Sequence, residues 1–368
     1  MHSAQSVLRV ITLALATLTA AMADDAQPRD HFNLLAYRDS DGTVRQIRTQ
    51  QDWHDRRALL RRAMQTVMGE FPGDDRRVDL DITILEETDA GSYVRRLIAY
   101  QSEPDSVTPA YLCIPKAALA GGRRAPAVLC LHPTDNTVGH KVVVGLGGRE
   151  GRAYAAELAE RGYVTLSPAY PQLANYWPNL EKLGYVSGTM KAIWDNSRGL
   201  DLLQSLSFVD GSPGFGAIGH SLGGHNAIFT AAFDPRIKVI ASSCGFDSFL
   251  DYYDGDERNW FFGQGWCQIR YMPRMSNYRG RLEEIPFDFP ELLAMLAPRP
   301  VFINAPLHDS NFRWASVQRC VDAARPVYRL CGAEDRLEVH HPDSDHSFPD
   351  PMREAAYRTI DAALKVGR

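Results

Sequence analysis

The sequence predicts an α/β fold in which a mixed, mostly parallel sheet is covered by helices on both faces. From residue 125 onward, short apolar runs bounded by turns alternate with helical stretches, as is typical of parallel sheets. Residues 80–115 alternate in hydrophobicity like antiparallel strands. The chain has 368 residues, of which 45% are hydrophobic and 23% charged, so it is long enough to bury one large core.

The N-terminal residues have the pattern of a signal peptide. Arg9 precedes an apolar run from Val10 to Ala21, and Ala21-Met22-Ala23 has the small-x-small form of a cleavage site. We therefore predict that residues 1–23 are removed, that Asp24 is the first mature residue and that the protein is periplasmic or secreted. An uncleaved anchor helix is the alternative, but the run is short for a hydrocarbon core roughly 30 Å thick.

The predicted N-terminal extension covers residues 24–79 and precedes an α/β domain over residues 80–368. Residues 24–50 are polar and irregular, whereas residues 51–71 carry apolar side chains at helical spacing. We expect an amphipathic helix there, ended by Phe71-Pro72-Gly73.

The domain is predicted to begin with three antiparallel strands and to continue with alternating strands and helices. The antiparallel strands are Leu80–Glu86, Tyr93–Tyr100 and Ala110–Ile114. The later strands are Ala127–Leu131, Tyr163–Ser167, Phe215–Gly219, Val239–Ser243, Val301–Asn304 and Leu337–His340. The helices are Ala153–Arg161, Lys191–Leu206, Gly224–Phe233, Ser316–Ala324 and Met352–Val366.

Residues 246–290 interrupt this alternation and predict a cap inserted over the strand ends. The segment is long, irregular and rich in aromatic residues. Aromatic side chains beside a cleft suit sugar rings, although ordinary packing of the insertion explains them equally well. The candidate substrate-binding residues are Trp260 and Trp266 in the cap, and Tyr176 and Trp177 after another strand.

Charge and cysteine content exclude several classes of protein. The formal net charge is −5 without long single-sign runs, so nothing indicates a nucleic-acid partner. No stretch after the N-terminal run is apolar and long enough for a membrane span. No histidine and cysteine cluster has zinc-ligand spacing, and we expect no metal and no cofactor.

The six cysteines are too few for a disulfide scaffold in a chain of this length. Cys113 and Cys130 lie in apolar strands and are expected to be buried thiols. A Cys320–Cys331 or Cys244–Cys267 disulfide is left open, because sequence does not fix connectivity.

The pentapeptide Gly219-His220-Ser221-Leu222-Gly223 fits G-x-S-x-G. An apolar strand runs into it and a helix follows, which is the context of a tight turn that exposes a nucleophilic serine. Glycines flank the serine because such a turn is crowded. Ser221 is therefore the candidate nucleophile.

A serine hydroxyl needs a base and an acid to become nucleophilic. His346 follows the last predicted strand in a polar loop and is the candidate base, with His340 and His341 as rivals. Asp309 follows the preceding strand and is the candidate acid, with Asp247 as its competitor. The order Ser221, Asp309, His346 is that of the α/β-hydrolases.

Two backbone N–H groups are expected to hold the oxyanion. Leu222 directly follows the nucleophile and provides one of them. The other is assigned to Thr134 in the loop His132-Pro133-Thr134, because Pro133 has no N–H to donate.

With these residues in place, the sequence resembles the exported bacterial α/β-hydrolases grouped with dienelactone hydrolases and acetyl xylan esterases. The resemblance covers most of the mature chain. It is carried by Trp53-His54-Asp55-Arg56-Arg57, Val67-Met68-Gly69, Ala217–Asn226, Ala305–Phe312 and His346–Pro349. It implies an α/β-hydrolase fold with a triad on Ser221, Asp309 and His346, and no cofactor.

We expect a secreted serine carboxylic ester hydrolase that deacylates carbohydrate esters through an acyl-enzyme. A small-molecule or carbohydrate ester is thus the expected partner, with no nucleic acid and no membrane after signal cleavage. The alternatives are a peptidase or lactone hydrolase of the same fold, a glucuronoyl-type esterase, and a non-catalytic binding protein on this scaffold. A glucuronoyl-type enzyme would favour a basic residue near Ser221, and Gly219–Asn226 contains no Lys or Arg.

Overall fold

A computed structural model describes residues 30–39, 41–121 and 123–365 of the chain. The strands within these ranges are β1 Ala36–Arg38, β2 Val44–Gln46, β3 Thr83–Asp89, β4 Tyr93–Glu103, β5 Ser106–Pro115, β6 Ala127–Leu131, β7 Val164–Pro168, β8 Phe215–His220, β9 Ile237–Ser243, β10 Val301–Asn304 and β11 Leu337–His340. The α-helices are α1 Gln50–Met68, α2 Lys116–Leu119, α3 Tyr154–Glu160, α4 Gly188–Ser205, α5 Leu222–Phe233, α6 Phe289–Met295, α7 Trp314–Leu330 and α8 Asp350–Leu364.

Strands β3 to β11 form one mixed sheet in the order β3-β4-β5-β7-β6-β8-β9-β10-β11. The pairs from β3 through β5 to β7 are antiparallel, and every pair from β7 to β11 is parallel. The carboxyl ends of β6, β8, β9, β10 and β11 therefore meet at one edge, where ligands bind in open α/β sheets. The predicted sheet is thus present, with its antiparallel part at the N-terminal end.

Both faces of the sheet are buried by helices. Neighbouring residues of β6 alternate between two apolar clusters, with Leu129 in one and Val128 in the other. Helices α3 and α8 contribute to the cluster of Val128, and α1, α4, α5, α6 and α7 contribute to that of Leu129. Burial on both sides explains why these strands read as continuous apolar runs in the sequence.

Helix α1 begins with a capping box and packs into the main core. The Thr49 side chain accepts a hydrogen bond from the backbone N–H of Asp52, and the Asp52 carboxylate accepts one from Thr49. Leu60 and Met64 on its inner face are fully buried. The N-terminal extension is thereby joined to the core that covers the sheet.

Several elements differ from the sequence expectation. The expected signal peptide, residues 1–23, lies outside the described residues. The segment expected to be irregular contains the β1–β2 hairpin. Helix α7 was expected to end at residue 324 but continues to Leu330, past Pro326. The residues of the expected cap form mainly short 3-10 turns between Tyr252 and Glu284.

All six cysteines are free thiols, so neither disulfide left open by the sequence is formed. Cys113 and Cys130 are buried within strands, as expected. No helix among the described residues is long and apolar enough to cross a membrane.

Candidate active site

Ser221 lies in a sharp turn between β8 and α5. Its φ of 54° and ψ of −121° are unfavourable for a residue with a side chain, so the turn holds the serine in a strained conformation. The flanking glycines make this turn sterically feasible. A Cβ at Gly219 would lie 2.2 Å from the Gly223 backbone, and one at Gly223 would lie 1.9 Å from the carbonyl oxygen of Leu131.

The structure brings Ser221, His346 and Asp309 into one hydrogen-bonded chain. His346 Nδ1 lies 2.9 Å from each carboxylate oxygen of Asp309, and His346 Nε2 lies 3.0 Å from Ser221 Oγ. An ionised carboxylate only accepts hydrogen bonds, so Nδ1 carries the proton and Nε2 is left to accept one from the serine hydroxyl. This is the geometry of a nucleophile, a base and an orienting acid.

The surroundings of Asp309 favour its ionised form. Burial acts to raise its pKa, but the hydrogen bond from His346 and two backbone N–H donors, Asn311 at 2.7 Å and Phe312 at 3.1 Å, outweigh burial and hold the pKa below its usual value. Asp247, the competing acid, makes no hydrogen bond to His346. Its carboxylate instead accepts one from the backbone of Arg313 at 3.3 Å.

The other histidines near the strand ends do not reach Ser221. His341 bonds through Nδ1 to the carbonyl of Ala305 and through Nε2 to Gln318. His340 stacks on Phe302. His220 lies beneath the site with its ring 4.9 Å from that of His346, and burial holds its pKa far below the usual value, so it is neutral.

The loop after β6 is fixed by a neutral histidine. His132 Nδ1 donates to the carbonyl of Pro133 at 2.9 Å, and Nε2 accepts from the backbone N–H of Tyr170 at 2.9 Å. Burial lowers the pKa of His132 to about 4, so this arrangement persists at neutral pH. It places Thr134 at the cavity wall, and the Thr134 hydroxyl lies 3.3 Å from that of Tyr271.

Ser221 and His346 open onto a cavity of about 420 Å³. Its walls come from the loop after β6, the start of α5, the cap and the loop after β10. Among the expected site residues, Thr134, Leu222 and Trp266 also line it. Tyr252 and Tyr271 of the aromatic cap segment line it as well, whereas the wall residues that sequence reasoning missed include Arg149, Arg152, Asn311 and Phe312. They lie on irregular loops, whose approach to the site carries no periodic signal.

Three expected substrate-binding residues lie outside the cavity walls. Trp260 is fully buried and packs edge-on against Phe249. Tyr176 is buried, and its hydroxyl forms hydrogen bonds with Asp195 and Thr108. Trp177 is 65% exposed, with its indole N–H bonded to the carbonyl of Ala174.

Trp266 is the expected aromatic residue that does line the cavity. It is 4% exposed and stacks against His225 with ring centroids 4.8 Å apart. The Trp266 and Tyr271 rings pack edge to face, with their centroids 5.4 Å apart. The cap thus contributes an aromatic wall beside Ser221, although most of its aromatic residues pack against one another.

His220, Cys244 and His346 bring potential metal-ligand atoms within 4.8 Å of one another, a grouping that sequence spacing did not indicate. Both ring nitrogens of His346 are already engaged, one with Asp309 and one with Ser221. The Cys244 thiol donates to the carbonyl of Ser347 at 3.4 Å. Because these atoms already have hydrogen-bond partners, the contacts fit the hydrogen-bonded chain of Asp309, His346 and Ser221 better than a metal centre.

The chain is similar to several known proteins. Residues 179–332 match a family model described as "Glucuronyl esterase, fungi". The chain is 25% identical over 325 residues to "Putative hydrolase YtaP" of Bacillus subtilis (strain 168), covering 83% of this chain and 98% of that protein. It is 26% identical over 200 residues to 4-O-methyl-glucuronoyl methylesterase 1 of Wolfiporia cocos (strain MD-104), which covers 47% of this chain and 45% of the relative.

The fold is shared with a solved structure, the glucuronoyl esterase from Solibacter usitatus. The TM-score is 0.71 at 19% sequence identity, and the match covers 92% of this chain and 99% of the other. The chain therefore has the α/β-hydrolase fold, and the turn that carries Ser221 and the sequence similarities agree with a serine hydrolase of carboxylic esters.

Proposed function

We propose that this protein hydrolyses a carboxylic ester bond of a carbohydrate through an acyl-enzyme on Ser221. The observation that carries the proposal is the chain of hydrogen bonds from Asp309 through His346 to Ser221 at the wall of an aromatic cavity. Each member has the partner that its role requires.

In the first half-reaction, Ser221 Oγ attacks the ester carbonyl carbon while His346 Nε2 accepts the hydroxyl proton. The tetrahedral intermediate collapses, the bond to the alcohol oxygen breaks, and His346 returns the proton to the leaving alcohol. In the second half-reaction, water attacks the acyl-enzyme and gives a proton to His346. The acid then leaves and Ser221 Oγ regains its proton.

The negative charge of each intermediate needs fixed donors. We assign these to the backbone N–H groups of Leu222, the first residue of α5, and Thr134. The N-terminus of a helix also favours developing negative charge. Because His132 anchors the loop of Thr134, the second donor is held in place before substrate binds.

Two features support a carbohydrate substrate. The Wolfiporia cocos relative is named as a methylesterase of a glucuronoyl ester, and Trp266 and Tyr271 give the cavity an aromatic wall beside which a sugar ring can pack. Deacylation of a sugar hydroxyl is the form of the reaction that we favour. A glucuronoyl-type esterase would favour a basic residue near Ser221. In this chain the residue directly after Ser221 is Leu222, which is apolar.

Cleavage of an ester on the carboxyl group of a uronic acid is the second candidate. The matched family model and the Wolfiporia cocos relative favour it. Rates on an O-acetylated sugar and on the methyl ester of glucuronic acid, measured side by side, separate the two forms of the reaction.

We also propose that the protein acts outside the cytoplasm, as the N-terminal sequence pattern indicates. Edman sequencing of the mature protein tests this. A first residue at Asp24 supports export with cleavage, and an intact Met1 in the cytoplasmic fraction opposes it.

The defining experiment compares wild type with Ser221→Ala on 4-nitrophenyl acetate and on acetylated sugars. We expect wild-type turnover and a loss of at least about three orders of magnitude in kcat for the variant, as removal of a triad member typically causes. Equal rates for the two proteins would remove Ser221 from the mechanism and favour a binding role for the scaffold.

A further inference from the structure

The loop before α3 delivers a buried arginine to the catalytic cavity. Gly151 has a φ of 70°, and a Cβ there would lie 3.0 Å from Arg353 Nη1 and 3.2 Å from the carbonyl oxygen of Phe348. Only glycine allows this close approach without displacement of its neighbours. The loop is therefore packed against the segment that follows His346, and Arg152 comes next in the chain.

Arg152 is 6% exposed and lines the cavity. Its Nη2 donates to the backbone carbonyl of His346 at 3.1 Å, so the guanidinium is held against the loop that carries the candidate base. Its Nη1 is buried and has no hydrogen-bond partner among the residues that the structure describes. Within the same residues, no carboxylate forms an ion pair with this arginine.

A buried guanidinium without a carboxylate partner is costly to maintain. Burial lowers the pKa of Arg152, but an arginine side chain remains charged at neutral pH. Because Arg152 lines the cavity, its positive charge attracts an anionic ligand that enters there.

Asp345 acts electrostatically on Arg152, but the described residues include no ion pair between the two side chains. Arg149 lies on the same wall, is exposed and adds a second positive charge at the mouth. Of the acids close to the cavity, Asp309 is engaged by His346, and Asp135 accepts the backbone N–H groups of Thr137 and Val138. The wall of the two arginines thus favours an anion.

Building on the proposed ester hydrolysis, we propose that Arg152, assisted by Arg149, binds a free carboxylate on the alcohol part of the substrate. His346 protonates the leaving alcohol, and Arg152 lines the same cavity and is bonded to the backbone carbonyl of His346. We therefore assign the carboxylate to the alcohol part of the substrate. The substrate class is then an O-acylated acidic sugar. An ester on the carboxyl group itself does not fit this subsite, because esterification removes the negative charge.

A matched pair of substrates tests the subsite. The acetyl ester of methyl galacturonoside carries a carboxylate where that of methyl galactoside carries a hydroxymethyl group, with the acetyl group at the same hydroxyl in both. We expect kcat/KM of the wild type to be at least about tenfold higher for the acidic ester, the size expected of a charge-assisted hydrogen bond. In Arg152→Gln that preference should fall to about one.

Two further variants separate charge recognition from a structural role of Arg152. Arg152→Lys keeps the charge and should retain part of the preference, because lysine lacks the planar fork of arginine. Arg325→Gln on α7 removes the same charge outside the cavity wall and should leave the preference intact. Equal losses on both substrates in Arg152→Gln would mean that the arginine only supports the His346 loop, and the subsite would be rejected.

Binding without turnover keeps this test independent of the proposed catalysis. Calorimetry on Ser221→Ala should show methyl galacturonoside binding at least about tenfold more tightly than methyl galactoside, with the difference lost when Arg152→Gln is added. Equal affinities of Ser221→Ala for the two sugars would overturn the subsite. Failure of wild type to hydrolyse either ester, with the affinity difference present, would overturn the ester hydrolysis and leave the anion subsite standing.

Discussion

Two aspartates at neighbouring strand ends show how environment decides the role of a residue. Asp309 accepts hydrogen bonds from His346 and from backbone N–H groups, and these keep it ionised. Asp247 is fully buried, and burial raises its pKa well above the usual value, with Asp251 and Asp288 adding to the effect. Burial therefore disfavours the ionised form of Asp247, and its carboxylate makes no hydrogen bond to His346 through which it could stabilise a charged imidazole.

This difference predicts opposite outcomes for the same conservative substitution. Asp309→Asn should lower kcat about 10⁴-fold, because an amide favours the wrong tautomer of His346. Asp247→Asn keeps the size of the side chain and leaves the bond between His346 and Asp309 in place, so it should change kcat by less than about tenfold. Steady-state kinetics of both variants on 4-nitrophenyl acetate measures these changes in kcat. A larger decrease of kcat in Asp247→Asn than in Asp309→Asn would identify Asp247 as the acid that orients His346.

The hydrogen-bonded arrangement of Ser221, Asp309 and His346 could be predicted from sequence, whereas the aromatic residues of the cavity wall largely could not. Ser221, Asp309 and His346 each follow a strand, and parallel strands bring their carboxyl ends to one edge regardless of the loops. The positions of the Trp260 and Tyr176 side chains depend on their packing and hydrogen-bond partners, which are Phe249 for the Trp260 ring and Asp195 for the Tyr176 hydroxyl. A sequence shows that an aromatic residue is present, but its burial is decided by packing with distant segments.

At the scale of elements, helix α6 is anchored by a buried acidic cap. Asp288 accepts hydrogen bonds from the Ser248 hydroxyl and from the backbone N–H groups of Phe249 and Phe289. Glu291, three residues on, bonds back to the Asp288 N–H and to His31 of the N-terminal segment. The Asp288 and Glu291 side chains at the N-terminus of α6 thus link the inserted segment, α6 and the N-terminal extension.

The Asp288 cap makes stability depend on pH. Burial raises its pKa to about 6, above the ordinary 3.8, although His31 and the hydrogen bonds act to lower it. The folded state then holds a proton that the unfolded chain has lost, so this group's contribution falls as pH rises from about 4 to 6, by about 3 kcal/mol. Asp288→Asn does not titrate, and its free energy of unfolding should improve relative to wild type across that range.

Urea unfolding of both proteins between pH 4 and 7 measures this difference. Asp322→Asn, at an exposed position on α7, serves as the control and should keep a nearly constant offset from wild type. A constant offset for Asp288→Asn as well would show that Asp288 is ionised in the folded protein throughout this range.

Buried strands and helices were predicted from the sequence more accurately than exposed ones. Strands β6 to β10 are buried on both faces and therefore stand out as apolar runs, whereas β2 is fully exposed and gives no such signal. Helix α7 continues beyond Pro326 although proline usually ends a helix. Buried Val327 and Tyr328 lie just after this proline, and their packing stabilises the last turns of the helix.

At the scale of the whole molecule, the N-terminal helix belongs to the same core as the catalytic sheet. Trp53, Leu60 and Met64 of α1 share one apolar cluster with residues of α5 and β10. Polar contacts reinforce the packing, since the Ser187 hydroxyl donates to the carbonyl of Met68 at 2.7 Å and the Arg274 side chain to that of Thr66 at 3.0 Å. Stability of the extension and integrity of the active site are therefore coupled.

This coupling predicts that damage to α1 unfolds the catalytic centre with it. Leu60 is fully buried, so Leu60→Ala should lower the free energy of unfolding by about 3 kcal/mol, through lost burial and the cavity that remains. Arg62→Ala, at an exposed position of the same helix, should change it by less than about 0.5 kcal/mol. Urea titrations followed by tryptophan fluorescence and by residual esterase activity should give one coincident transition in each protein, shifted to lower urea in Leu60→Ala. If activity instead survives a first fluorescence transition in that variant, α1 unfolds on its own and the shared core does not transmit its loss to Ser221.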